Sequence, residues 1–264
     1  MRMTRVKVRR ARPSALTWAL ALAVTMLVVY LLTLGASPRR QPKAQRSAEP
    51  GAQVTEEIAF APLEVYCVQF GNFASAEEAR VEAARFVERG AAGYVQPTNG
   101  EYLVLGAGYA HAADAERVAE RLKEAEQVAG EVYALTAPQV RLRVTAGENQ
   151  IASVVAADAL LRTEVDQLGE LAFQIDRGEL RPDAARTLIA VQASQARELL
   201  AELKAIPGGN AIFAGLTEQV ERFAAALDVL AHESVASELA LSGKIKYNYL
   251  CARMGYIAFL RGLK

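Results

Sequence analysis

Residue types able to do chemistry are sparse in this chain, and none falls at a spacing that makes a reactive site. His111 and His232 are the only histidines. Neither has a second ligand at metal-binding spacing, so no metal and no other cofactor is expected. Cys67 and Cys251 lack a CxxC partner and read as two ordinary reduced thiols rather than a long-range disulfide. Gly106-Ala107-Gly108 misses the third glycine and the following acid of a nucleotide loop, which leaves a strand-end bend. Glu78 lies three residues after Ser75, where the pair Glu77/Glu78 belongs to a helix cap before it belongs to a catalytic dyad. Lys244, Lys246, Tyr247, Tyr249, Arg253 and Tyr256 gather near the C-terminus, as an amphipathic helix with snorkelling bases or, less simply, as a binding surface. No nucleophile, base or metal set can be assembled, so the chain reads as a non-enzyme.

The charge is balanced overall, thirty basic against thirty acidic residues in 264, but not along the chain. Ten of the bases and one acid precede Gly51, which leaves twenty basic and twenty-nine acidic residues beyond it, a net charge of about −9. Such a body repels polyanions, and nucleic acid is excluded as a partner. Residues 1–14 form a basic head. The run Ala15–Ala36 carries no charge and is long enough to cross roughly 30 Å of hydrocarbon as one helix. It reads as an uncleaved anchor rather than a signal peptide, since its apolar core is too long and Leu34 occupies the place of a small residue. Six cations before it and four after it put the N-terminus in the cytoplasm and the C-terminus outside, at the cell membrane. Residues 37–60, with Pro38, Pro42, Pro50 and Gly51, have the composition of a flexible linker.

The elements that follow alternate. Leu63–Phe73 reads as a strand, Ser75 to Gly90 as a capped helix, Gly93–Gln96 as a strand, Glu101–Tyr109 as a strand after the turn Pro97-Thr98-Asn99-Gly100, then a helix through Ala115, Val118, Ala119 and Leu122, and Glu131–Thr136 as a last strand. The expected class is α+β, a βαββαβ two-layer sandwich over residues 61–140 with a four-stranded antiparallel sheet. Residues 146–264 form an α-helical domain. Leu161, Val165, Leu168, Ala172 and Ile175 mark the first helix, and a core seam is the simpler meaning of their spacing than a coiled coil. A second helix starts near Pro182 and ends at Pro207-Gly208-Gly209, a third covers about Ala211–Ala231, and a fourth, Ser237–Leu263, is interrupted at Ser242-Gly243. Helices of this length with short loops pack as a small bundle.

The strand Tyr66-Cys67-Val68-Gln69-Phe70-Gly71-Asn72-Phe73 resembles the "YVQVGSF" opening of a SPOR (sporulation-related repeat) domain. Tyr102-Leu103-Val104, leading to Gly108-Tyr109-Ala110 and Ala113-Asp114-Ala115-Glu116, resembles the second half of that motif. The head, span, module and C-terminal extension together are similar to the stage II sporulation protein B-like membrane-anchored members. The resemblance implies binding to peptidoglycan, in particular glycan strands stripped of stem peptides, and accumulation at the division or sporulation septum. It places binding on the sheet, at Gln69, Asn72, Phe73, Leu103 and Leu105.

Strand alternation turns Tyr66, Val68, Phe70, Tyr102 and Val104 toward the helices and leaves Val65, Cys67, Gln69, Leu103 and Leu105 on the open face. Leucines offer a sugar neither hydrogen bonds nor stacking. A bare apolar face needs a cover, either the chain's own C-terminal helices, which is favoured, or a partner. Two functions follow. One is a non-catalytic wall-binding module. The other is a scaffold whose apolar sheet face and helical domain bind septal or engulfment proteins.

Overall fold

Period-two alternation sets the strands of the computed structural model, which describes residues 53–206, 210–234 and 237–263. The basic head, the span, the linker up to residue 52 and the break at 207–209 lie outside the described residues. No helix among those described is long and apolar enough to cross a membrane.

The central sheet contains β2 (Leu63–Phe73), β3 (Tyr94–Thr98), β4 (Glu101–Tyr109) and β5 (Glu131–Ala137), antiparallel in the order β3-β4-β2-β5. Helices α1 (Ala76–Val87) and α2 (Ala112–Glu126) cover one face. The Ser75 side chain accepts from the Glu78 amide at 3.2 Å, so the expected cap forms. His111 is the N-cap of α2 and makes no side-chain cap bond. Val68 packs with Ala115 and Ala119, and Val104 packs with Ala79 and Ala83, which puts these positions on the helix side.

Alternation breaks at two adjacent points, at Gly106 in β4 and at Phe70 in β2. The β2–β4 register shifts between Val68 and Gly71, so that Gln69 faces Leu105, Gly71 faces Val104, and Phe73 faces Tyr102. The opposing Gly106 lies under Phe70, where an added Cβ would sit 2.1 Å from the ring. Gly106 therefore serves a bulge inside β4 and not a strand-end bend, since β4 runs on to Tyr109.

The linker expectation extends too far. Gln53–Phe60 is a strand, β1, paired antiparallel along its whole length with β6, Val140–Gly147. Ile58, Phe60, Val140, Val144 and Ala146 supply its buried side, while polar residues at the alternate positions give the stretch its linker-like composition. The register runs through unslipped, with Phe60 opposite Val140 on one side of a break and Leu63 opposite Ala137 on the other. Pro62 and Pro138 stand at that break and cannot donate, so the ladder opens there. Arg162 closes the gap, donating to the carbonyls of Ala61 at 2.7 Å and Pro62 at 3.3 Å.

β6 leads straight into α3 (Glu148–Asp176), followed by α4 (Pro182–Ala205), α5 (Ala211–His232) and α6 (Glu238–Gly262). Leu161, Val165, Leu168, Ala172 and Ile175 are all buried, so their spacing marks a core seam. The bundle is not a separate domain, because Gln53 to the C-terminus is one compact unit and α6 lies on the free face of the sheet.

The expected interruption at Ser242-Gly243 does not occur. α6 is continuous, and a Cβ on Gly243 would lie 3.0 Å from the Ala91 carbonyl, so glycine permits a close approach there. Ser242 Oγ lies 2.6 Å from Asp176 Oδ1, and Lys246 bridges Asp176 Oδ2 at 2.7 Å and the Gly90 carbonyl at 2.8 Å. Tyr249, Arg253 and Tyr256, expected as part of an amphipathic face, are buried.

Candidate functional site

The free face of a βαββαβ sheet is where this architecture can meet a ligand, since the other face is closed by its two helices. Here α6 crosses that face from the Gly90 loop, where Lys246 is held, to β5, where Arg261 Nε donates to the Thr136 carbonyl at 2.7 Å. Val65, Cys67, Leu103 and Leu105 share a core with Leu241, Ile245, Leu250 and Ile257. Leu103 is 6% and Leu105 0% exposed. Neither can touch a sugar while α6 is in place, and burying each contributes about 1.5–3 kcal/mol. The cover belongs to the chain itself.

The other sheet residues expected to bind are scattered. Gln69 is half-buried on the covered side of the sheet. Asn72 is exposed, and its Nδ2 donates to Glu101 Oε2 at 2.5 Å. Phe73 lies on the opposite face, against Ala79, Ala83 and Val104, because the bulge at Gln69–Gly71 inverts the alternation behind it. Gln69, Asn72 and the paired Leu103 thus share one side, and Phe73 does not.

Beside α6, the sheet face is not fully closed. A groove of about 660 Å³ runs between the β3 edge, α5 and α6, within the range of ligand sites. The sheet contributes Tyr94, Gln96 and Pro97 from β3 and Leu135 from β5, α5 contributes Gln219, Arg222 and Phe223, and α6 contributes Asn248 and Arg261. Ala252 and Ala258 on α6 leave the space open, while Gly255 lets the Gln219 side chain approach the helix, since a Cβ there would fall 2.9 Å from Gln219 Oε1. Tyr94 and Gln96 oppose Leu105 and Leu103, so they extend the same face to its edge. Burial pushes the Tyr94 hydroxyl up to about 12, and it stays a neutral donor. Cys251 also lines the groove, and burial raises its thiol, which keeps it protonated.

Among the described residues no carboxylate lines this groove. The contrast is a cleft of about 580 Å³ between α2 and α3, floored by the stacked rings of Tyr109 and Phe173 and lined by both signs of charge, Asp114, Asp166, Glu170 and Asp176 with Arg117, Arg121 and Arg177. No group of three or more His, Cys, Asp or Glu among the described residues could hold a metal.

Residues 62–134 match the SPOR domain family model. The chain carries a SPOR domain. SPOR domains are non-catalytic modules that generally bind peptidoglycan and direct proteins to the septum. Comparisons with curated proteins and with solved structures give no match. The SPOR domain spans β2 to β5, so β1, β6 and the four C-terminal helices lie outside it. Gln96 and Tyr94 could have been read from the sequence as the open-face positions of β3. Gln219, Arg222 and Asn248 could not, since only the packing of α5 and α6 brings them to the sheet.

Proposed function

We infer that this is a non-catalytic, single-pass membrane protein, with its N-terminus in the cytoplasm, whose SPOR domain binds peptidoglycan glycan strands and holds the protein at the division or sporulation septum. The SPOR match over residues 62–134 carries this reading. The uncharged run Ala15–Ala36 supports the anchor, and the acid-free groove beside the sheet supports a carbohydrate ligand in an otherwise acidic body. The alternative, a scaffold that captures partner proteins on the apolar sheet face, loses that surface because α6 occupies it.

Two measurements test the reading. The purified chain is mixed with peptidoglycan sacculi before and after amidase treatment, and retention is expected to rise when stem peptides are removed. Protease added to intact protoplasts is expected to remove the C-terminal region. Absence of retention on both kinds of sacculi would overturn the glycan assignment, and a sheltered C-terminal region would overturn the topology.

A further inference from the structure

We propose that the C-terminal helices form half of the ligand site, and that the groove between β3, α5 and α6 holds a glycan strand of N-acetylated amino sugars bearing free lactyl carboxylates. This rests on the peptidoglycan reading and goes further, because it gives the second wall of the site to residues outside the SPOR domain.

The chain beyond Gly51 carries about −9, so a strand bearing carboxylates is repelled from most of its surface. The groove inverts this locally, with the guanidiniums of Arg222 and Arg261 and no acid along its lining. Arg222 holds one ion pair, to Glu218 a turn earlier, and Arg261 spends its Nε on the Thr136 carbonyl. Each keeps further N–H donors for a carboxylate. The α2–α3 cleft is similar in size and also holds arginines, Arg117, Arg121 and Arg177, but four carboxylates stand among them and Asp114 and Glu170 already occupy Arg117 and Arg177, so it lacks the one-signed lining of the groove.

Gln96, Gln219 and Asn248 come from three different elements and line one trough. Gln219 makes no hydrogen bond among the described residues. Gln96 donates only to the Pro97 carbonyl, and Asn248 only to the Lys244 carbonyl, so both keep their side-chain oxygens free. Groups that both donate and accept match hydroxyls and N-acetyl amides, and Tyr94 adds an aromatic wall. The small residues Ala252, Gly255 and Ala258 form the α6 side of the groove, which extends from Asn248 to Arg261, about 20 Å of helix. An elongated trough with donors along it suits a linear polymer.

The test uses the full-length chain on amidase-treated sacculi, with Arg222→Gln, Ala252→Phe and, in the other cleft, Arg117→Gln. Arg222→Gln is expected to weaken retention about tenfold or more, since it removes charge-assisted hydrogen bonds, and to flatten the salt dependence of what remains. Ala252→Phe fills the trough and is expected to abolish retention, whereas Arg117→Gln retains like the parent. If the parent is retained and both groove variants are retained equally well, the groove assignment falls while the peptidoglycan reading stands. Loss confined to Arg117→Gln moves the ligand to the other cleft and also overturns it. A parent that fails to bind either kind of sacculus removes the underlying reading. Thermal melting accompanies each variant, and Arg222→Gln decides alone if Ala252→Phe is unfolded, because Arg222 lies on the exposed side of α5.

Discussion

Gly108→Ala separates a covered sheet from an open one by the sign of its effect. Gly108 lies on the face that α6 crosses, opposite Cys67 in the β2–β4 ladder. A methyl group there would be placed 2.7 Å from Leu250 Cδ2, 2.8 Å from Tyr249 Cε1 and 3.1 Å from Val65 Cγ2. These neighbours are 0%, 4% and 0% exposed, so none can swing away into solvent. Overpacking of this kind costs about 1–3 kcal/mol. On a free sheet face the same change would stabilise by roughly 0.5–1 kcal/mol, because alanine loses less backbone entropy than glycine in a strand. For a unit of this size, each kcal/mol moves the melting temperature by about 2–4 °C. The expected outcome is a melting point lowered by several degrees and a urea midpoint lowered without change of slope. A variant as stable as the parent, or more stable, would refute the placement of α6 on the sheet.

Leu103→Asp puts a carboxylate into the same interface and is expected to cost roughly 2–4 kcal/mol in urea unfolding; an unchanged midpoint would mean that this face is wet. Arg253 is 1% exposed, with Nε and Nη1 unpartnered, and pairs with an Asp166 side chain that is 55% exposed. Arg253→Met is therefore expected to be neutral or to stabilise by about 1–4 kcal/mol, whereas Asp166→Ala, which strands the buried guanidinium, is expected to destabilise; the reverse order in thermal melting would contradict this account. Burial pushes Cys67, Tyr94 and Tyr249 each up to about 12, which favours the neutral forms in the folded state. Their contribution is complete below the unfolded values, 9.0 for the thiol and 10.0 for the phenols, and is lost as pH climbs from there toward 12. Urea midpoints are thus expected to fall above about pH 9, and a midpoint flat to about pH 11 would argue that these groups are solvated. Cys67 is expected to resist thiol reagents at about pH 8 until the chain is unfolded, and prompt modification of the native protein would show the sheet face open.

The SPOR elements are legible in the sequence because their signals are local. The Ser75 cap, the Pro97–Gly100 turn and the alternation of β2 and β4 each lie within a dozen residues. Even the cover is legible, as an apolar open face at Leu103 and Leu105 that water would not tolerate. What is not legible depends on contacts between distant segments. Nothing local at Gln69 announces a bulge, yet it carries Phe73 to the other side of the sheet. β1 and β6 each bury only one side, and β1 follows directly on a stretch of linker composition. Gly243 reads as a helix break when its role is to let α6 approach Ala91. The groove combines β3 with α5 and α6, more than a hundred residues further along the chain, and no spacing rule reaches that far.

The β1–β6 ribbon decides how a pull from the preceding chain would be felt. Gln53 pairs with Gly147, which is rooted at the start of α3, so tension on residue 53 acts across adjacent ends of two antiparallel strands. In that geometry the rungs break in succession instead of resisting together. From Gln53 to Glu57 no side chain is fully buried, so the outer half of β1 can pay out about 15 Å of slack at low force. Ile58 and Phe60 then halt the peeling, and the proline-marked joint gripped by Arg162 lies behind them. The sheet and its groove are insulated from tugging by a short extensible leash.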